Sequence, residues 1–163
     1  MPITISFGTN AKRAFVSAQA RKVIEDILKA AGLTSCLISS TARSPADQAR
    51  IMFENIEAHG VANQKALYAA AGDAVIDTYS QAKKAGKTPK QIQAAMEAKI
   101  ISIGPAKVSR HCADPKKLVV VDIAPSSIGS KSAFEKAVRA DKRVKKFLLP
   151  PLDPAYHLEI PQA

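Results

Sequence analysis

The chain of 163 residues has no tryptophan, only three tyrosines and five phenylalanines, and two cysteines. Sparse aromatics leave little for a stacking platform on single-stranded nucleic acid. Two cysteines, Cys36 and Cys112, are too few for a disulfide scaffold. Cys36 lies in the apolar run Ser35-Cys36-Leu37-Ile38 and reads as a small core residue. No apolar run reaches the roughly 18 residues of a membrane span. The start, Met1-Pro2-Ile3-Thr4-Ile5-Ser6, lacks the charged and then apolar stretch of a secretory signal. Acidic residues are also short, 14 against 24 Lys and Arg, for a net charge of +10. Such a surface favours anionic partners: nucleic acid, anionic lipid or an anionic cell wall. Hydrophobic residues make up 47%, enough for a real core in a chain of one domain's length.

The hydrophobic periods predict an α+β fold with a small, mostly antiparallel sheet. Ala18, Val23, Ile24, Ile27, Leu28 and Ala31 recur at helical spacing over 17–31, and Gly32 stops the run. Residues 34–40 read as a short strand. Ser44 as N-cap, Pro45 in the first turn and Asp47 three after the cap start a helix that runs to about Ala58. Residues 63–85 read as one helical stretch with Gly72 as a candidate break. Thr88, Pro89 and Gln91 open a further helix through a capping box, running to about Ile100. Gly104-Pro105 marks a turn. Leu118 to Ile123 is apolar and β-branched and reads as the central strand. A helix starts at Ser130 or Ser132 and runs through Arg139. Residues 147–149 read as a strand, 150–154 as a stiff loop and 156–160 as the last strand. No repeat or interdomain linker is evident, so one domain over 1–163 is expected.

Three separated stretches carry chemistry: Ser109-Arg110-His111, Val120-Val121-Asp122-Ile123-Ala124-Pro125 and Tyr156-His157-Leu158-Glu159-Ile160. Two histidines and an aspartate form a three-ligand set for zinc. Such a set leaves a fourth position open, as catalytic sites do. Asp122 follows Leu-Val-Val-Val and would be costly to bury without a partner, which a cation supplies. Asp114 is its rival, although Asp114-Pro115 also reads as a turn. Adjacent antiparallel strands would bring Asp122 and His157 together. His59, beside Gly60 at a helix end, fits a cation at a helix C-terminus and stands outside the set. Cys112 adjoins His111, and strand neighbours point to opposite faces, which argues against Cys112 as a ligand.

These stretches resemble the zinc peptidases of bacterial cell walls: D-alanyl-D-alanine dipeptidases and carboxypeptidases, and phage L-alanyl-D-glutamate endolysins. The resemblance rests on Ile38-Ser39-Ser40-Thr41-Ala42-Arg43-Ser44-Pro45-Ala46-Asp47-Gln48, on Ser109-Arg110-His111, on Asp122 in Val-Asp-Ile-Ala-Pro, and on His157-Leu158-Glu159. It covers about residues 17–58 and 105–161, and the segment of about 60–100 looks like a helical insertion over the cleft. Two departures stand out. Ten residues separate His111 from Asp122, where the family has a shorter spacing containing a glycine. The family's catalytic base falls at Pro154, which cannot act as one.

The resemblance implies zinc held by His111, Asp122 and His157, and hydrolysis of a peptide bond in peptidoglycan. Arg43 would stabilise the oxyanion. Ser109 and Gln48 would hydrogen-bond substrate backbone or brace the site, and turn or capping chemistry explains them as well. Tyr156 would line the pocket or serve as a core aromatic. Asp153 would be the base; Glu159, two residues from His157 on one strand face, is the alternative, and a site with no base is the third reading. Partners would be peptidoglycan peptide stems and the anionic envelope, for a monomer with no transmembrane segment and no specific nucleic acid. Made in the cytoplasm without a signal, it would reach the wall by lysis release, tail injection or a secretion machine. A non-catalytic phage structural or wall-binding protein of this fold is the alternative. A basic nucleic-acid-binding module would rest on Lys142-Arg143-Val144-Lys145-Lys146, which also reads as a solvated segment.

Overall fold

The computed structural model describes residues 2–163. In chain order the elements are β1 Thr4–Phe7, α1 Ala18–Ala30, β2 Ser35–Ser40, α2 Pro45–His59, α3 Val61–Leu67, α4 Ala70–Lys84, α5 Pro89–Ile103, α6 Pro105–Val108, β3 Leu118–Ile123, α7 Lys131–Ala140, β4 Lys146–Leu148 and β5 Tyr156–Pro161. The fold is α+β, as the periods predict. The chain divides into two compact units, Met1–Ala42 with Asp114–Ala163, and Arg43–Ala113.

The first unit is built on a five-stranded sheet in the order β1-β2-β3-β5-β4. Only β1 and β2 run parallel; the other pairs are antiparallel. Side chains alternate across a strand. Val119, Val121 and Ile123 of β3 and Tyr156, Leu158 and Ile160 of β5 therefore share one face. They pack with Val23, Ile24, Ile27 and Leu28 of α1 and Phe134 and Val138 of α7. Each such side chain contributes roughly 1.5–3 kcal/mol on burial. The opposite face carries Val120, Asp122, His157 and Glu159, because Asp122 pairs with His157 and Val120 with Glu159. The β2–β3 register shifts between Ile38, opposite Ile123, and Ser40, opposite Asp122. This bulge turns Ser40 to the Asp122 side while Ile38 stays in the core. β1 was not anticipated; a four-residue parallel edge strand is too short to show a period.

The second unit is helical. Ala49, Met52, Phe53 and Ile56 of α2, Val75, Ile76 and Tyr79 of α4 and Ile92, Met96 and Ile100 of α5 form its core, with Phe53 and Tyr79 edge-on at 5.8 Å. The starts of α2 and α5 follow the expected chemistry. Ser44 Oγ accepts from Asp47 N–H and Asp47 accepts from Ser44 N–H; Thr88 and Gln91 do the same. The stretch 63–85 is not one helix broken at Gly72. The break falls at Tyr68 and Ala69, both extended, and Gly72 lies inside α4. A Cβ on Gly72 would come within 2.4 Å of Tyr68 Cδ1, so this glycine makes room for the Tyr68 ring. Gly104-Pro105 is a turn that continues directly into α6.

Candidate metal centre

Register places the first two residues of the centre. β3 and β5 set Asp122 opposite His157, and His157 Nδ1 lies 3.1 Å from Asp122 Oδ1. Glu159, two residues along the same strand face, brings Oε2 to 2.9 Å from His157 Nε2. Both ring nitrogens thus face carboxylates in a side chain only 6% exposed. Burial works against the charged ring, but the hydrogen bonds to Asp122 and Glu159 and the charges of Asp122 and Asp153 outweigh it. The His157 pKa is therefore raised above its ordinary value. A carboxylate held against one ring nitrogen is the arrangement that orients a metal-binding histidine.

His111 is not in a strand-like context. It sits in a 3-10 turn, Arg110–Cys112, where Ser109 Oγ accepts from His111 N–H at 3.3 Å. The His111 carbonyl accepts from Arg43 N–H at 2.7 Å, and the side chain is buried. The strand-alternation argument against Cys112 therefore does not apply. Cys112 is nonetheless outside the ligand group, and burial pushes its thiol up to about 11.

His111, Asp122 and His157 could hold a metal ion: each offers one ligand atom, and these atoms all lie within 4.8 Å of one another. A tetrahedral ion with bonds of ~2.0 Å needs its donors ~3.3 Å apart. The Asp122–His157 separation of 3.1 Å is close to this. Two imidazoles and a carboxylate suit a divalent transition metal and leave a coordination position open.

The other expected site residues divide sharply. Arg43 is half-buried, and its Nη1 donates to Gln48 Oε1 at 3.0 Å. Gln48 is fully buried, its Nε2 donating to Tyr68 Oη at 3.1 Å. It braces Arg43 through that bond. Ser109 caps the His111 turn. Asp153 is half-buried, accepts from Ala155 N–H at 2.9 Å, and its charge reaches His157. Tyr156 is a core aromatic, not a pocket wall. It lies on the other sheet face from His157, its ring 5.0 Å from that of Phe134, its hydroxyl donating to Glu135 at 2.9 Å. Asp114 is exposed and accepts from Lys116 N–H at 3.0 Å, which is turn chemistry. His59 ends α2 and is exposed. Within the basic run at 142–146, Arg143 is paired to Asp141 and Asp26.

Sequence reasoning missed Tyr68. Its only signal was a glycine inside a helical pattern four residues after an aromatic. No protein-family model, curated protein or solved structure matches the chain.

Proposed function

We propose that the protein is a zinc-dependent peptidase that hydrolyses a peptide bond in bacterial peptidoglycan, an L-Ala–D-Glu or D-Ala-containing bond. The observation that carries this reading is the three-ligand group of His111, Asp122 and His157. The chain order of Arg43, Gln48, His111, Asp122 and His157, which resembles that of the wall peptidases, supports it. Zinc would supply Lewis acidity and a water acidic enough to attack near neutral pH. As the water oxygen bonds to the scissile carbonyl carbon, Asp153 takes its proton. The same proton passes to the amine as the C–N bond breaks. Arg43 donates to the carbonyl oxygen as it becomes an oxyanion, a contribution of roughly 3–4 kcal/mol for a preorganised donor. Asp153 is favoured as base because the Glu159 carboxylate is engaged with His157 Nε2.

The net charge of +10 would concentrate this monomer at an anionic envelope. No described helix is long and apolar enough to cross a membrane. Release at phage lysis, as an endolysin, is the preferred route to the wall. Pro154 at the family's base position supports a second reading, a non-catalytic wall-binding protein of the same fold.

The deciding measurement is release of soluble peptides from purified peptidoglycan, with zinc content determined in parallel. Wild-type protein is expected to release peptides and to bind one zinc. His157→Ala is expected to do neither, with zinc affinity down at least 100-fold. One bound zinc per chain with no release would favour the non-catalytic reading. No zinc binding at all would end both.

A further inference from the structure

We infer that Tyr68 is a positioning residue for Arg43, acting through Gln48; the inference rests on the peptidase reading, in which Arg43 meets the oxyanion. A primary amide has two ends of similar shape and opposite hydrogen-bonding character. Arg43 can only donate, so it needs the amide oxygen. With the amide turned over, two donors would face each other in a fully buried place. Gln48 Oε1 accepts from Arg43 Nη1 at 3.0 Å, and Gln48 Nε2 donates to Tyr68 Oη at 3.1 Å. Arg43, a donor only, sets which way the amide faces, and the tyrosine hydroxyl accepts the amide's N–H and anchors it in that place.

Tyr68 is itself seated for this task. It is the extended residue where α3 ends, at φ −101° and ψ 153°. Its ring occupies the volume that a side chain at position 72 would need, since a Cβ there would lie 2.4 Å from Cδ1. Gly72, the third residue of α4, is a poor helix former beside alanine. Accommodation of the Tyr68 ring accounts for its presence there. The segment that resembles an insertion thus supplies a residue to the site's own machinery: Gly72 seats Tyr68, Tyr68 anchors Gln48, and Gln48 holds Arg43.

The test is Tyr68→Phe, which keeps the ring and removes the hydroxyl. On a soluble peptidoglycan fragment, kcat is expected to fall about tenfold, with KM within about twofold. The effect is expected to vanish in an Arg43→Ala background. An undiminished loss in that background, or no loss from Tyr68→Phe in the otherwise native protein, overturns the proposal. A second readout needs no substrate. The Arg43 guanidinium 15N–1H signal is expected to show restricted rotation in the wild type and averaging in Tyr68→Phe. An unchanged signal overturns the positioning role, whereas a wild type that releases no peptide sinks only the peptidase reading.

Discussion

Asp122 and His157 face each other across paired strands, while Arg43 and His111 stand just outside a helix cap and inside a single 3-10 turn. The two regions fix their side chains by different means. In the sheet unit the β3–β5 register runs unbroken from Leu118↔Pro161 to Ile123↔Tyr156. A slip of one residue would turn Asp122 into the apolar core and Val121 out of it, so hydrophobic burial itself enforces the pairing. In the helical unit no ladder holds Arg43. Polar contacts, among them the buried Gln48 amide and a backbone bond to His111, contribute to its place. The sheet placement is therefore insensitive to any single polar atom, and the helical placement depends on a few.

The largest test of that contrast is Phe134→Ala. Phe134 of α7 is fully buried against the Tyr156 ring. Its removal is expected to destabilise the sheet unit by about 3–5 kcal/mol, read from urea unfolding. A loss below about 1 kcal/mol would mean that the apolar face does not secure the ladder. Next comes Ser44→Ala, which removes the oxygen that caps α2 one residue after Arg43. It is expected to cost about 1 kcal/mol of stability, and unlike Phe134→Ala it should broaden the Arg43 side-chain signal.

The smallest effect is expected at Asp141, whose carboxyl is held below its ordinary value, first by the side-chain hydrogen bond from Arg143. A lowered carboxylate pKa adds stability above the unfolded-state value and loses it as pH falls through the folded one. Asp141→Asn should thus cost less than about 1 kcal/mol at pH 7, as for surface pairs. Wild type and variant should converge in thermal unfolding as the pH drops below the usual carboxylate range. A gap that persists there would assign the effect to packing.

Much of the site was legible because its signals are local. Ser44-Pro45 with Asp47, and Thr88-Pro89 with Gln91, name helix starts within four residues. Leu118–Ile123 declares a strand by its β-branched run. Alternation favours the core for Tyr156, opposite to His157, of the two readings that its sequence left open. The break at Tyr68 was illegible, since nothing at 68–69 disfavours a helix and the ring's seat on Gly72 depends on the extended backbone of Tyr68 and Ala69. The context of His111 was misread because a 3-10 turn of three residues has no period.

The sequence by itself determined the helix caps, the central strand, the α+β class and the order of the chemistry-bearing residues, since each depends on interactions a few residues apart. Only the tertiary structure decided which residues meet. It paired Asp122 with His157, turned Ser40 to their side through a bulge, engaged Glu159 with the imidazole and put Gln48 between Arg43 and Tyr68. Register, bulges and buried hydrogen bonds join residues up to tens of positions apart, and the pattern along the chain does not specify them until the apolar faces have packed.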